Sequence, residues 1–459
     1  MMSLGQAAAG IGAEQRGAEA VFGGVSTDSR AIAAGELFVA LRGERFDGHY
    51  YVAAARERGA IAALVARDAG SWPQWAGLPL LVVDDTRLGL GHLGAFWRNQ
   101  FTLPLVAITG SNGKTTVKEM LAMILREAGG AGAPVLATQG NLNNDIGVPL
   151  MLLKLRQRHR YAVIEMGMNH PGEIDYLSRM ASPDIALVNN AHAAHLAGLG
   201  SVEAVARAKG ELFNGLTADG VAVINRDDLF ADLWREMAGE RRVLTFGVEQ
   251  PADISADVVL HPSGSRVRLR TPQGIAAIHL PVPGMHNARN ALAAAAVAHG
   301  LGVANETIAR GLAGFSGVAG RLQRRSVLHG AVMIDDTYNA NPASVEAAIA
   351  VLAAAPGKRV LVLGDMGELG AAAADAHRRL GEHAKRSGIE RLLALGELSH
   401  GAARAFGAGG QCFEYIEDLL AAVECLLAPD VTVLVKGSRF MKMERVVKSF
   451  AVAGEGECC

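Results

Sequence analysis

The sequence predicts an α/β protein of three domains, and three observations carry that prediction. Short apolar runs alternate with helical patterns along most of the chain, as parallel strands joined by crossing helices require. An apolar, β-prone run at Leu105–Thr109 breaks at Gly110-Ser-Asn-Gly113 and restarts as a helix, with Val117, Met120, Leu121, Ile124 and Leu125 at helical spacing. The chain has 459 residues, half of them hydrophobic and a fifth charged, which suits about two to four globular domains and excludes a disordered chain. The expected layout is a small mixed α/β N-terminal domain at 1–85, a central P-loop-like parallel-sheet domain at 86–318, and a C-terminal Rossmann-like α/β domain at 319–459.

Composition narrows the partners. The formal net charge is −2 and no Lys/Arg run stands out, so no nucleic acid is expected. Cys412, Cys425, Cys458 and Cys459 form no metal-spaced cluster, and sparse cysteine suits a reducing compartment. The N-terminus, with Glu14 and Arg16 in a mild Ala/Gly stretch, has no secretory pattern. The longest apolar window, 291–303, holds His299 and two glycines and is too short to cross a bilayer. A cytoplasmic monomer with no membrane insertion is expected.

In the first segment, Val25-Ser-Thr-Asp-Ser-Arg30 is a polar cluster, followed by a strand at 36–41 and a charged loop at 42–49. A helix at 51–59 and strands at 60–65 and 80–83 complete a small α/β unit. Asp47-Gly48-His49 reads equally as a simple turn or as a polar surface for an anionic, nucleotide-like substrate.

The central segment opens on the glycine loop. Gly110 and Gly113 let backbone N–H groups approach an anion, and the helix start adds about half a positive charge. Lys114 is placed to reach terminal phosphates and the Thr115 hydroxyl to sit on a magnesium ion. The loop is shorter than the full P-loop pattern, since Ile108 stands where that pattern has its first glycine. An ordinary glycine-rich turn is the alternative, but Gly-Lys-Thr-Thr opening an apolar helix argues against it. The amide-dense stretch 138–147, with Asn141 and Asn144, makes turns or grips phosphate and sugar hydroxyls.

Tyr161 to Gly167 is an apolar strand with Glu165 at its carboxyl end, where open α/β sheets bind ligands. A buried glutamate without a partner is costly, so a metal or cation is expected beside it. The strand 184–190 runs into His192 and His195. They are either a zinc pair or one solvated and one site histidine, and no cysteine or third histidine joins them to favour zinc. Lys209 lies in a helical stretch, 204–216, where a lysine is ordinarily a surface charge. A strand and turn at 221–228 precede an irregular, β-rich stretch with several prolines at 241–283. Asn287 and Asn290 then share one face of an alanine-rich helix, suited to adenine edges or to capping the helix start.

In the last segment, Gly320-Arg321 precedes a strand at 332–334 ending in Asp335-Asp-Thr-Tyr-Asn-Ala-Asn-Pro342, then a helix at 344–353. A strand at 358–364 ends in the loop 365–370, and a helix follows at 377–386. Strands at 391–395 and 431–435 complete the alternation, the last ending in Lys436-Gly-Ser-Arg439. Polar loops again gather after strand ends, which marks a second ligand-bearing domain.

Together these pieces resemble the Mur ligase family, the ATP-dependent amide-forming enzymes of peptidoglycan precursor synthesis. The resemblance covers nearly the whole chain. Thr109-Gly-Ser-Asn-Gly-Lys-Thr-Thr116 resembles the family's short phosphate loop, which implies ATP contacts at Gly110, Ser111, Asn112, Gly113, Lys114, Thr115 and Thr116. It implies that Asn287 and Asn290 hold adenine, that Arg321 and Asp336 reach the nucleotide, and that Tyr338 lies against the base. Thr115, Glu165, His195 and Lys209 fall where the family holds Mg²⁺, with Lys209 as a carbamate, an oxygen donor suited to that ion. Lys114, Glu165, His195 and Lys209 are the implied catalytic set.

Thr27, Ser29, Arg30, Asp47 and His49 fall in motifs of the family's UDP-substrate domain. Lys436, Ser438 and Arg439 are implied for the incoming amino component. One departure is that Ala197 and Leu199 stand where the family usually has a glutamate and an aromatic residue. The stretches at 165–174, 335–342 and 363–369 resemble the member that adds D-alanyl-D-alanine to UDP-N-acetylmuramoyl-tripeptide. The implied chemistry transfers the ATP γ-phosphate to the tripeptide carboxylate and lets the dipeptide amine attack the acyl phosphate. The rival within the family adds diaminopimelate or lysine to UDP-N-acetylmuramoyl-dipeptide. Rivals from other classes are a non-catalytic ATP-binding switch and a metal-only hydrolase built on His192 and His195.

Overall fold

A computed structural model describes residues 1–69, 75, 77–130, 134–194 and 196–452. His195, Cys458 and Cys459 lie outside the described residues. The architecture is α/β, as expected, with three principal sheets.

The N-terminal sheet has five strands in the order Glu14–Arg16, Leu80–Val83, Ala62–Ala66, Glu36–Val39, Gly24–Ser26, parallel except at the Glu14–Arg16 edge. Helix Thr86–Arg98 starts on Asp85, whose carboxylate accepts from the N–H groups of Arg87 at 2.7 Å and Leu88 at 3.0 Å. Such a cap satisfies amides that the first turn leaves unpaired. Leu90 and Leu93 of this helix share a core with Leu37, Leu64 and Leu81 of the N-terminal sheet and with Leu153 of the central segment. At its end the buried Arg98 guanidinium donates to the carbonyls of Phe101 at 2.7 Å, Ala181 at 3.0 Å and Ser182 at 3.3 Å. The first two sheets are therefore joined through a common apolar seam and a buried cation.

The central sheet has nine strands, in the order Val135–Ala137, Tyr161–Glu165, Leu105–Thr109, Ile185–Val188, Val221–Asn225, Arg242–Gly247, Ile254–His261, Gly264–Thr271, Gly274–Leu280. All pairings are parallel up to Ile254–His261, and the last two strands fold back antiparallel. The stretch 241–283 is thus an orderly extension of the sheet. Its prolines sit outside the strands, Pro251, Pro262 and Pro272 between them and Pro281 and Pro283 after the last, where a missing N–H breaks no ladder bond. Every residue of Leu105–Thr109 is buried, as a parallel strand covered on both faces must be. Val106 and Ile108 pack against helices Lys114–Ala128 and Met285–Gly300, while Leu105 and Ala107 face the opposite core. The chain leaves this strand for one side of the sheet and returns on the other. Its carboxyl end is thus the point where strand order reverses, with Glu165 and Asn189 at the tips of its neighbours.

The C-terminal sheet has six strands, in the order Gln323–Ser326, Val332–Asp336, Val431–Lys436, Lys358–Gly364, Arg391–Leu395, Gly410–Phe413, parallel except at the first pairing. The loops after Asp336, Gly364 and Lys436 leave its carboxyl edge side by side, facing the phosphate loop.

Candidate active site

One cleft of about 1830 Å³ lies where the carboxyl edges of the central and C-terminal sheets meet. The phosphate loop forms part of its wall. Gly113 caps helix Lys114–Ala128 at φ 81°, a backbone state that L side chains adopt at a cost. A Cβ there would lie 2.2 Å from Asn290 Oδ1 and 2.7 Å from Asn189 Nδ2. We expect Gly113→Ala to lose about 1–2 kcal/mol from backbone strain alone, and more from the collision. The loop should open, and binding of a fluorescent ATP analogue should fall by well over tenfold while circular dichroism stays that of the parent.

Lys114 Nζ donates to the Gly110 carbonyl at 2.7 Å, folding back over the loop it follows. Burial lowers its pKa; Glu165 opposes the shift and Arg321 adds to it. The Thr115 hydroxyl donates to Glu165 Oε2 at 2.8 Å, and Asn143 Nδ2 donates to Glu165 Oε1 at 2.8 Å. The buried glutamate thus has neutral partners on both oxygens and keeps its charge free for a cation. Arg321 Nη2 crosses from the C-terminal domain to donate to Thr115 Oγ1 at 2.9 Å, and its guanidinium lies 4.3 Å from the Tyr338 ring centre.

Lys209 is not the surface charge its helix suggests. It is 1 % exposed, and its amine makes no hydrogen bond or ion pair among the described residues. Burial pushes its pKa well down, with Lys114 adding to the shift, so the group tends toward the neutral amine.

Asn287 and Asn290 both line the cleft from helix Met285–Gly300, but they are already engaged. Asn287 Nδ2 donates to the Pro283 carbonyl at 2.8 Å, and Asn290 Oδ1 accepts from Asn189 Nδ2 at 3.1 Å. Asn290 therefore braces the phosphate loop at Gly113. His286, on the same helix, has a buried Nε2 with no partner among the described residues, and burial pulls its pKa down to about 4. His192 lines the cleft beside Asp228; burial lowers the histidine and raises the aspartate. Among the described residues no group of three His, Cys, Asp or Glu side chains forms a metal cage, so nothing there supports a zinc centre on His192.

In the C-terminal domain the structure turns two expected ligand residues toward each other. Lys436 Nζ donates to Asp336 Oδ2 at 2.5 Å and to the Asn339 carbonyl at 3.0 Å, and Asp336 Oδ1 also accepts from the Leu322 N–H at 3.2 Å. Both charges are buried and mutually neutralised, which fixes the loop bearing Tyr338 instead of presenting a free ion. Ser438 is likewise internal: its hydroxyl accepts from the Gly367 N–H at 2.9 Å and donates to the Ala340 carbonyl at 3.2 Å, joining three loops. The loop 365–370 is set from behind by the fully buried His377, whose Nε2 accepts from the Met366 N–H at 3.0 Å. Arg439 is exposed and pairs with Glu444 at 3.1 Å.

The N-terminal candidates lie away from these contacts. Thr27 and Ser29 are half-buried, and Arg30 is exposed and paired with Asp28 at 2.8 Å. His49 is held within its own domain and serves the turn that the sequence offered as one reading. It is fully buried, with Nδ1 2.5 Å from Asp47 Oδ1 and Nε2 accepting from the Ala66 N–H at 2.9 Å. Asn141 and Asn144 line the cleft, and Asn144 Oδ1 accepts from the Gly147 N–H at 2.9 Å. Reasoning from sequence missed Asn189 and Asn190, whose amides hold the phosphate loop, although a polar pair at the tip of an apolar strand was the same signal that marked Glu165.

Models of three domains match the chain in order: Mur ligase family, catalytic domain, at 21–97; Mur ligase middle domain at 108–298; and Mur ligase, glutamate ligase domain, at 320–439. The chain is 44 % identical over 455 residues to the UDP-N-acetylmuramoyl-tripeptide–D-alanyl-D-alanine ligase of Escherichia coli K12, covering 98 % of this chain and 97 % of that one. Its fold is similar to a crystal structure of MurF from Acinetobacter baumannii, with a TM-score of 0.90, 38 % identity and 98 % of both chains covered. It is also similar to MurF ligase from Thermotoga maritima in complex with ADP, with a TM-score of 0.79, 27 % identity, and 93 % and 97 % covered.

Proposed function

The chain belongs to the Mur ligase family, and from that premise we propose that it joins D-alanyl-D-alanine to UDP-N-acetylmuramoyl-tripeptide, with ATP as the energy source. It is an ATP-dependent ligase that forms a peptide bond in peptidoglycan precursor synthesis. The observation that carries this reading is the meeting of Lys114, Thr115 and Glu165 with Arg321 of the facing domain in one cleft.

A carboxylate does not acylate an amine at neutral pH, because its leaving group is poor. Transfer of the γ-phosphate to the tripeptide acid creates an acyl phosphate that the dipeptide amine then attacks. Such transfer needs positioning and charge neutralisation more than covalent help. The loop amides and Lys114 hold the phosphates, Arg321 adds a second cation from the opposite wall, and Glu165 aligns Thr115. The donor set fits magnesium, a hard ion that takes oxygen ligands and relies on phosphates and water for the remainder. Thr115, Glu165 and a carbamate on Lys209, with His195 in support, would hold it. When bound, the ion neutralises charge on the transferring phosphate. The burial of Lys209, whose amine has no partner among the described residues, supports that carbamate, since only a neutral amine adds to carbon dioxide.

The UDP portion rests on the N-terminal domain near Thr27, Ser29, Arg30 and Asp47. The dipeptide enters at the C-terminal edge near Arg439. We read three domains, at 1–85, 86–318 and 319–459, with helix Thr86–Arg98 at the first junction sharing the N-terminal core. Among the described residues no helix is long and apolar enough to cross a membrane, and we read the protein as a cytoplasmic monomer.

One assay tests the reading: purified chain, Mg²⁺-ATP, UDP-N-acetylmuramoyl-tripeptide and D-alanyl-D-alanine, with the product weighed and phosphate counted. The expected result is a pentapeptide product and one phosphate per bond, with an ¹⁸O label passing from the peptide acid into the phosphate. Product formed only from the dipeptide substrate and diaminopimelate would overturn the assignment. Phosphate release indifferent to either amine would favour the switch.

A further inference from the structure

The phosphate-loop residue Asn112 is gripped by its own domain at the backbone. Its N–H donates to Asn190 Oδ1 at 2.8 Å, and its carbonyl accepts from the side-chain amides of Asn189 at 3.0 Å and Asn190 at 3.1 Å. Across the cleft, Asn341 is equally fixed as the cap of helix Pro342–Ala353. Its Oδ1 accepts from the Ser344 N–H at 2.9 Å, and its own N–H donates to Ser344 Oγ at 2.9 Å. Two pre-set amides therefore face one another, and they meet head to tail. Asn341 Nδ2 donates to Asn112 Oδ1 at 2.8 Å, and Asn112 Nδ2 donates to Asn341 Oδ1 at 3.3 Å.

We propose that this amide pair is a closure latch, through which the phosphate loop and the C-terminal domain hold the register that brings Arg321 to Thr115. The role of closure rests on the ligase reading above; the pairing itself does not. The chemistry suits a joint that must part in every turnover. Two neutral hydrogen bonds give a net gain small enough to break readily. An ion pair in the same place would lose charge hydration at every closing, a penalty that two neutral amides largely escape. The reciprocal geometry also gives direction: neither amide can satisfy the other if the domains meet out of register. Asn112 and Asn341 are thereby positioning residues, acting on the reaction through Arg321 and Thr115.

The test is a double-mutant cycle on domain closure. Spin labels go on Ile275→Cys and Tyr415→Cys, exposed positions on the central and C-terminal domains, in a chain whose four cysteines are replaced by serine. Asn112→Ala removes one amide. Asn341→Ser removes the other while keeping a good helix cap. The closed fraction is read from the label distance, with and without a non-hydrolysable ATP analogue. Each single variant should lower the closing constant by about tenfold, and the double variant should be no worse than either single one. In Asn341→Ser, turnover should fall in step with closure while affinity for a fluorescent ATP analogue is unchanged. Effects that multiply in the double variant, or label distances indifferent to both changes, would overturn the latch. Failure of the parent to bind the ATP analogue would sink the ligase reading but leave the nucleotide-free cycle to judge the pair.

Discussion

Lys114→Ala should lower turnover by at least about a hundredfold, because one well-placed cation at a reacting oxyanion is worth about 3 kcal/mol. The structure explains why little else can replace it. The side chain folds back onto the Gly110 carbonyl, so its ammonium is held over the loop instead of sampling solvent. Burial weakens its hold on the proton, and the nearby Glu165 restores part of it. An incoming triphosphate would restore more, so the lysine is poised to give its strongest interaction when phosphate charge is present. Arg321 approaches from the other domain, but it is committed to Thr115 and Tyr338. Lys114→Arg should recover little, since a planar guanidinium cannot occupy the same fold-back beneath the glycine loop. Single-turnover phosphate release, which separates chemistry from product dissociation, is the measurement. Turnover near that of the parent in Lys114→Ala would remove this residue from the mechanism.

Lys209→Met should give an enzyme at least as stable as the parent yet slower by about a hundredfold or more, taking the loss of one transition-state charge as the measure. A buried amine without a partner costs free energy that an unbranched apolar side chain of similar size does not. If the lysine served packing alone, methionine would be a neutral or favourable replacement in both respects. Urea unfolding and turnover, measured on the same preparations, separate the two outcomes. In the parent, ¹³C-bicarbonate should give a carbamate resonance that Lys209→Met lacks. Equal turnover in the two proteins would show the lysine to be dispensable.

The phosphate loop was legible because its determinants are local. Gly113, Lys114 and the apolar spacing after them specify a strand end, a left-handed turn and a helix start within a few residues of chain. Glu165 was legible for the same reason, as a charge at the tip of an apolar strand. What escaped were pairings between distant segments. Nothing near Lys436 announces that Asp336 will absorb its charge, and nothing near His49 announces that the Ala66 amide will occupy its ring. Lys209 was read onto a site only through resemblance, since a helix with a lysine near its end ordinarily faces water. The strands after residue 241 were blurred by prolines that fall between them, which local composition presents as irregularity. Residue type and spacing thus set the chemistry of the loop, while the networks that aim it depend on contacts the fold alone creates.

Helix Thr86–Arg98 has a mechanical consequence. With its leucines in one shared core and its terminal guanidinium tied to three carbonyls, it joins the first two lobes at one corner. On the proposed reading, closure would move the C-terminal lobe against this corner. A sugar-nucleotide bed on the first lobe, as proposed above, would then keep its shape whether the third lobe swings in or out, and the acid partner would be free to board before the door closes.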